Sequence, residues 1–232
     1  MNTMYNILLE LPFFQGLCHE DLTSILEKIT LDFKDLQENQ LITKKGSNAN
    51  HLTFIMEGRI KKESCTLNGK LIMEEIIRPP YVIEPQALFG WNTTFFSNYT
   101  THSPARILII SKEALRNELF KYEVFKLNFL NYICYQNQKL NQQQWDLEGL
   151  NLEERLLTVF WNLADRNSIE QIIRVKMTVL ARFMNSTRLN ISKTLNAWND
   201  NQLIKLARQE IIIPNPKKLL MHKEQIKREK EK

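Results

Sequence analysis

The sequence predicts an α+β protein in which a β-rich domain, a long helix and a C-terminal pair of short helices follow one another. Three observations support this order. Short apolar runs alternate with turn residues over residues 31–110, an apolar repeat with seven-residue spacing follows, and a helical apolar pattern occupies residues 176–203. The length of 232 residues suits two modest domains, and 43% hydrophobic with 25% charged residues is typical of globular proteins.

The β-rich domain begins after about 30 residues that predict short helices and packing. Asn68-Gly69 is the strongest hairpin signal in the chain, because a type I′ turn needs a positive φ at both central residues. Apolar runs at residues 52–56, 71–77 and 106–110 predict the clearest strands. Strands at this spacing predict an all-β barrel or sandwich.

A long helix is predicted from Ser111 to about Leu147. Its second half carries residues at a and d spacing over about two and a half heptads, with polar residues at two a-type positions. This stripe could pack on its own β-domain or pair two copies of the chain. The length of the helix favours the dimer, because a small barrel could not cover it. The predicted dimer seam contains Phe129, Leu130, Ile133, Asn137, Leu140, Gln144 and Leu147.

A break at residues 148–151 predicts a hinge between two domains. Asn151 and Glu154 match a capping box, which starts the next helix. We therefore expect an N-terminal domain at residues 1–148, whose long helix covers about residues 111–148. A second domain is expected at residues 149–216 and a charged tail at residues 217–232.

Residues 176–203 have the pattern of a helix-turn-helix, whose second helix lies in the DNA major groove in proteins that use this motif. Asn185 stands at the turn, where a positive φ is often needed, and the Thr187 hydroxyl can cap the second helix. Apolar residues at helical spacing predict the faces that point into the core. They are Leu180, Ala181, Phe183 and Met184 on the first helix, and Ile191, Leu195 and Trp198 on the second.

The opposite face of the second helix carries Arg188, Leu189, Ser192, Lys193 and Asn196. By pattern alone, an ordinary helical hairpin with a solvated polar face would look the same. The charge distribution favours DNA, because residues 173–232 contain 14 Lys and Arg against 5 Asp and Glu, whereas residues 1–172 have a net charge of −4. After the helix pair, residues 203–206 and 210–213 predict a hairpin wing that can rest on phosphates.

Other classes of function lack support in the sequence. Cys18, Cys65 and Cys134 form no CxxC pair, so free thiols are expected, with neither disulfides nor a metal site. Four separate histidines, no phosphate-binding glycine loop and no nucleophile–base spacing argue against an enzyme, and neither a catalytic residue nor a cofactor is expected. Because no apolar run approaches the roughly 18–20 residues that span a bilayer and no secretory signal is recognisable, we expect a cytoplasmic protein without a membrane partner.

The order of these modules resembles the Crp/Fnr family of bacterial transcription regulators, the relatives of the cyclic-AMP receptor protein. The resemblance covers about residues 10–216 and extends without gaps through residues 175–204. Gly46, Gly58 and Gly69 fall at turns of the family's β-roll. The resemblance implies an N-terminal double-stranded β-helix (a cupin-like jelly roll), a dimerisation helix and a winged helix-turn-helix. It also implies a homodimer that binds double-stranded DNA at a pseudo-palindrome, with RNA polymerase as a further partner.

The resemblance also assigns base-reading positions. In the family, an Arg-Glu pair near the start of the second helix and an Arg one turn later read bases, and here these positions are Arg188, Leu189 and Lys193. Arg188 can donate to guanine O6 and N7, whereas Leu189 can contact a thymine methyl but cannot accept from cytosine. We therefore expect a half-site that differs from the best-known one of the family. Further DNA contacts are expected from Lys176, Thr187, Ser192 and Asn196.

The effector site departs from the family pattern. Cyclic-nucleotide-binding members use a Gly-Glu pair and an Arg-Ser pair, in which the Arg neutralises the phosphate. Here Glu84 remains, but Ile83 replaces the Gly, residues 95–100 contain no basic residue, and Leu140-Asn141 replace the Thr-Ser that touches the purine. A phosphate beside Glu84 with no cation would be unfavourable, so a cyclic nucleotide is not the expected effector.

A pocket between the β-domain and the long helix is one interpretation of this region, and plain core packing is the other. The lining would be Glu84, Leu88, Phe89, Trp91, Tyr99, Asn137 and Asn141. The effector could be apolar or uncharged, or control could come from protein abundance or a partner protein. An alternative function is therefore a small-molecule sensor or interaction module with a weak or vestigial DNA-binding unit. The basic residues Arg188 and Lys193 argue against that alternative.

Overall fold

The computed structural model describes residues 4–66, 68–145, 149–165 and 167–230. They belong to two compact units, one formed by residues up to 60 together with 78–138, and one formed by residues 61–77 together with the chain from residue 139 onward. The predicted α+β class, with a β-rich N-terminal part and a C-terminal winged helix-turn-helix, is confirmed.

The helices and strands of the N-terminal part precede those of the helix-turn-helix along the chain. The N-terminal elements are α1 (Met4–Leu9), α2 (His19–Lys28), β1 (Asp32–Leu36), β2 (Leu41–Thr43), β3 (His51–Glu57), β4 (Ile60–Thr66), β5 (Leu71–Ile77), β6 (Tyr81–Ile83), β7 (Asn98–Thr101), β8 (Ala105–Ser111) and α3 (Lys112–Asn117). The remaining elements are α4 (Glu123–Trp145), α5 (Leu152–Leu163), β9 (Ser168–Val175), α6 (Met177–Phe183), α7 (Arg188–Asp200), β10 (Lys205–Ala207), β11 (Glu210–Ile213) and α8 (Pro216–Lys230).

The first unit contains an antiparallel sheet with the strand order β1-β8-β3-β6, and a separate pairing of β2 with β7. Its core is aromatic: the rings of Phe13 and Phe14 pack on Phe54 and Phe125 at centroid distances of 5.0–5.9 Å. Gly58, with φ +86°, closes the end of β3, and a Cβ there would lie 2.3 Å from the Pro104 carbonyl oxygen. Only glycine therefore fits this turn without moving the neighbouring backbone.

The single helix predicted from Ser111 onward is wrong in its first turns. Ser111 caps α3, which ends at Asn117, and a 3₁₀ turn at Leu119–Lys121 separates it from α4. The physical reason is packing, because Leu119 is fully buried and the Phe120 ring contacts Phe125 and Phe129. A straight helix could not bring all these side chains into one core.

The second unit holds five strands in the order β10-β11-β9-β5-β4. The β4–β5 hairpin turns at Asn68 and Gly69, whose φ values of +54° and +84° confirm the predicted turn. Strand β5 pairs antiparallel with β9, with Leu71 opposite Val175 and Met73 opposite Ile173. The hairpin therefore belongs, by its pairing, to the same sheet as the wing strands. The predicted boundary after residue 148 adjoins the undescribed residues 146–148 and stays a prediction.

Strand β9 and helix α8 have no counterpart among the predicted elements. Along β9 the buried positions include Ser168 and Gln171 as well as Ile173 and Val175. Two polar residues on the inward face remove the alternation of apolar and polar residues by which a strand is recognised. Helix α8 occupies most of the stretch that we expected to be a charged tail, and it buries Leu219 in the core of this unit.

One carboxylate is buried beneath the β5–β9 pairing. Glu75 is 1% exposed; its Oε1 accepts a hydrogen bond from the Asp165 N–H at 2.6 Å, and its Oε2 lies 3.5 Å from Lys62 Nζ. Burial raises the pKa of the Glu75 carboxyl group, and the nearby Lys62 charge offsets this only in part. Gln171, which faces Glu75 across the sheet, is fully buried as well.

Candidate nucleic-acid interface

Helices α6 and α7 are held together by the apolar residues that the sequence predicts. Leu180, Ala181 and Met184 of α6 are at most 5% exposed. Phe183, which we expected on the same inward face, is 47% exposed, so that prediction is wrong. The α6 helix is only seven residues long and Leu180 and Met184 already fill the contact, so the ring at position 183 lies on the outer side.

The turn between the two helices follows the predicted chemistry. Asn185 adopts φ +46°, and the next N–H group, that of Ser186, donates to the Ala181 carbonyl at 2.9 Å. Thr187 then caps α7, because its Oγ1 accepts from the Asn190 N–H at 3.2 Å. These local bonds fix the angle at which α7 leaves the turn.

The inner face of α7 is anchored at three points. Ile191, Leu195 and Trp198 are 0–1% exposed, as predicted. The Trp198 ring packs edge-on against Phe160 at a centroid distance of 6.1 Å, and its Nε1–H donates to Glu153 Oε1 at 2.8 Å. Both partners belong to α5, so this helix determines where α7 sits.

The outer face of α7 carries the predicted contact residues. Thr187, Arg188, Leu189, Lys193 and Asn196 are exposed, and Ser192 is half-buried. The Leu189 side chain is 64% exposed. This face therefore offers two cations, two small polar groups, an amide and one apolar contact on a single helix surface.

Two further elements add positive charge to the same unit. Lys176 is exposed at the N-cap of α6. The predicted wing is confirmed as the antiparallel pair β10–β11, in which Lys205 faces Ile212 and the exposed Arg208 stands at the turn. The wing turn is fixed to β9 by a hydrogen bond from the Val175 N–H to the Gln209 carbonyl at 3.1 Å.

The residues predicted for an effector pocket are only partly brought together. Glu84 is 6% exposed; its Oε2 accepts from the Phe96 N–H at 2.6 Å and its Oε1 from the Tyr99 hydroxyl at 3.3 Å. Leu88 is buried in the core, whereas Trp91 is fully exposed and Asn137 is exposed as well. The Asn141 side chain lies outside the described residues.

Phe89 lines a different space, an apolar cavity of about 450 Å³ in the first unit. Its other walls are Pro85, Gln86, Gly90, Phe120, Lys126, Phe129, Leu130 and Ile133. Phe89 is shared by the predicted pocket and this cavity. Three other walls, Phe129, Leu130 and Ile133, are residues that the sequence predicts for the dimer seam. Arg106, the basic residue nearest in sequence to the segment 95–100, lies against Asp35 instead, at 3.5 Å.

The predicted dimer seam divides into inward and outward residues. Phe129 is 6% exposed and packs on Phe13, Phe89 and Phe120 of its own unit. Leu130 is 48% exposed, and Ile133 is half-buried. The side chains of Leu140 and Gln144, and all of Leu147, lie outside the described residues.

Other kinds of site find no support in the part of the chain that the structure describes. There, no group of three or more His, Cys, Asp and Glu side chains could hold a metal ion. The three cysteines are free thiols. None of the described helices is long and apolar enough to cross a membrane.

Comparison with known proteins gives one domain match. Residues 154–221 match the family model of the Crp-like helix-turn-helix domain. No curated protein matches the chain. The matched segment contains most of α5, both helices of the motif, the wing and the beginning of α8.

Solved structures of similar architecture cover nearly the whole chain at low similarity. The catabolite activator protein of Thermus thermophilus is 15% identical over 90% of this chain and 96% of that chain, with a TM-score of 0.48. DNR from Pseudomonas aeruginosa is 18% identical over 95% and 98%, with a TM-score of 0.45. FixK2 from Bradyrhizobium japonicum is 10% identical over 82% and 96%, with a TM-score of 0.45. The match to the helix-turn-helix model is what assigns the C-terminal domain.

Proposed function

We propose that this chain, which contains a Crp-like helix-turn-helix domain, is a DNA-binding transcription regulator that acts as a homodimer on a pseudo-palindromic operator. The observation that carries the proposal is the division of α7 into two faces. The apolar side chains of its inner face are at most 1% exposed to solvent, while the charged and polar side chains of its outer face stay largely exposed. A helix seated in this way presents donors to the edges of bases in the major groove.

We propose that three residues near the start of α7 read bases. Arg188 donates two N–H groups to guanine O6 and N7, and Lys193, one turn and a half later, donates to a base or a phosphate. Leu189, which is 64% exposed, contacts a thymine methyl group. Thr187, Ser192 and Asn196 border these residues and bind the sugar–phosphate backbone or neighbouring bases.

The experiment that tests this function is selection of bound sequences from a random duplex pool by the purified full-length chain, at two salt concentrations. Two recognition helices of a dimer would meet major grooves about 34 Å apart, so the enriched motif should be two-fold symmetric with half-sites about one helical turn apart. Binding without an enriched motif, with a steep loss of affinity in salt, would show that only non-specific phosphate contacts are made.

The proposed dimer uses the outer side of α4. Leu127 and Leu130 are each 48% exposed, and the exposed Cys134 follows one turn after Leu130. A chain that retains Cys134 as its single cysteine should form a cross-linked dimer upon mild oxidation. The matched control retains only Cys18, which is exposed at the start of α2 and should not cross-link. Equal cross-linking of both variants, or of neither, would contradict a dimer through α4.

A second function, sensing of an apolar small molecule, is favoured by the cavity beside Phe89. Its walls are almost entirely apolar, and Lys126 is the charged residue among them. An apolar anion such as 8-anilinonaphthalene-1-sulfonate is therefore a suitable fluorescent probe. Binding should be lost in Ile133→Phe, which fills the cavity, and retained in Leu127→Phe, which adds the same ring on the exposed side of α4. Identical probe binding by both variants would contradict a ligand site here.

A further inference from the structure

The tip of the β4–β5 hairpin lies beside the DNA-binding elements, although it is more than 90 residues away from them in sequence. Leu71 and Met73 are buried in the same apolar core as Leu180, Ile191 and Trp198 of the helix-turn-helix. This shared core joins the hairpin to the helix pair.

Three elements meet in an open cleft of about 530 Å³, which we call the tip groove. The hairpin contributes Lys70, the end of β9 and the N-cap of α6 contribute Arg174 and Lys176, and the wing turn contributes Arg208. Glu210 is the acidic residue among the lining residues. The groove therefore has a strong excess of positive charge.

The four basic residues have two different roles. Arg174 is held between two carboxylates: its Nε lies 2.7 Å from Glu210 Oε1, and a terminal nitrogen donates to Glu74. Its charge is compensated within the protein, and it joins the sheet strands to each other. Lys70, Lys176 and Arg208 are all exposed, so their charges face the solvent above this ion-pair network.

We propose that the tip groove binds backbone phosphates of DNA and that the β4–β5 hairpin acts as a second wing through Lys70; this rests on the proposed function. In a helix-turn-helix the first helix crosses the DNA backbone, and Lys176 stands at the start of that helix. Lys70 and Arg208 line the same groove as Lys176. A single exposed cation binds one phosphate only weakly. Several cations on neighbouring elements can each contact a different phosphate of a duplex, and their contributions add up.

The groove could also bind a free phosphate anion. Binding of a DNA backbone and binding of a free anion have different consequences in experiment. A duplex releases counterions when each phosphate contact forms, so every contact adds about 0.9 to the slope of log affinity against log salt concentration. A small anion would instead saturate the groove at constant ionic strength, whether or not DNA is present.

The test compares Lys70→Gln with Lys61→Gln on the operator selected by the wild-type chain. Both variants lose one lysine charge from the same hairpin, but Lys61 lies at the opposite end of β4 from the tip. For Lys70→Gln we expect weaker binding of operator and of unrelated duplex alike. The salt slope should fall by about two, because each protomer of the proposed dimer loses one phosphate contact. Lys61→Gln should retain the wild-type slope, and equal slopes for the two variants would overturn the proposal.

A duplex with single methylphosphonate linkages locates the contact. Neutralising the phosphate that meets Lys70 should weaken the wild-type complex but leave the Lys70→Gln complex unchanged, whereas other phosphates should affect both proteins. Saturable binding of inorganic phosphate that Lys70→Gln abolishes, with no change in salt slope, would identify a small-anion site and reject the DNA contact. If Arg188→Ala relaxes the selected motif while Lys70→Gln behaves as Lys61→Gln, only this inference fails. If the wild-type chain selects no motif, the proposed function itself fails.

Discussion

The outer face of α7 and the segment that follows β6 use their polar groups in opposite ways. On α7, Arg188, Lys193 and Asn196 extend into solvent. After β6, the carboxylate of Glu84 turns inward and accepts from the Phe96 N–H and the Tyr99 hydroxyl. A surface with exposed donors can bind a charged partner without breaking internal bonds, whereas a segment whose buried carboxylate is already bonded opposes an incoming phosphate.

In each region, buried groups hold the chain segment in place. The outer face of α7 is useful only if its inner face holds the helix still, and that task falls to Trp198. In the segment after β6, the hydrogen bonds of the Glu84 carboxylate themselves hold the chain in place. We therefore expect substitutions to separate the two regions by their effects on stability and on DNA binding.

The largest effect is expected from Trp198→Ala. The ring is 1% exposed and packs on Phe160, so its removal should lower the free energy of unfolding by about 3–5 kcal/mol. Trp198→Phe retains most of the packing and loses only the N–H bond to Glu153, which should cost about 0.5–1.5 kcal/mol. Urea unfolding measures both values, and equal losses would mean that the hydrogen bond rather than the ring seats α7.

Glu84→Ala should destabilise the protein without changing the selected DNA motif. It removes the acceptor of the Phe96 N–H and the Tyr99 hydroxyl, and the expected cost is about 1–3 kcal/mol. Glu57→Ala, at the exposed end of β3, is the matched control and should be nearly neutral. Thermal unfolding and sequence selection together check this prediction. A Glu84→Ala protein as stable as Glu57→Ala would show that the internal bonds of Glu84 contribute little.

Arg188→Ala should change DNA binding without changing stability. Loss of a bidentate contact to guanine costs about 1–3 kcal/mol of binding free energy and relaxes one base position. Arg182→Ala removes the same side chain from the exposed last turn of α6 and serves as the control. Affinities for single-base variants of the operator measure the difference. Uniform weakening on all of these sequences would mean that Arg188 touches only phosphate.

Glu75→Gln should change the pH dependence of stability. Burial raises the pKa of Glu75 in the folded chain above its ordinary value of 4.5, so the folded state binds more protons than the unfolded state between these two values. Across that window the stability contribution of Glu75 falls as pH rises. Wild type should therefore lose stability relative to Glu75→Gln when pH increases from 5 to neutrality. Urea unfolding at each pH measures the free energy of unfolding of both proteins. If the difference between wild type and Glu75→Gln does not change with pH, Lys62 fully compensates the buried charge.

Several parts of the fold follow from short-range sequence signals. Asn68-Gly69 gives the hairpin turn, Asn151 and Glu154 form the capping box with both bonds at 2.9 Å, and Thr187 caps α7. Each depends on residues within four positions of one another, whose backbone preferences and hydrogen bonds act before any tertiary contact forms. Signals of this kind locate the helix-turn-helix and, with it, the candidate DNA-binding residues.

Other parts depended on partners that lie far away in sequence. Phe129 lies beside Leu130 at the start of the predicted seam, but the tertiary structure buries the Phe129 ring against Phe13 and Phe89 and leaves Leu130 at 48% exposure. Spacing along a helix gives a face and does not say which element covers it. Phe183 shows the same limit, since α6 is too short to bury every apolar residue that has the right spacing.

The sequence by itself determined that the chain ends in a basic winged helix-turn-helix preceded by a β-rich region, because turn, cap and periodicity signals are local. Only the tertiary structure decided that the β4–β5 hairpin pairs with β9 and brings Lys70 beside Lys176 and Arg208. The inward polar residues Ser168 and Gln171 conceal β9 in the sequence. Strands pair through backbone hydrogen bonds, and the backbone groups are nearly the same for every residue type. The sequence of β5 therefore does not say that β9 is its partner, and the second wing is recognised only in the folded sheet.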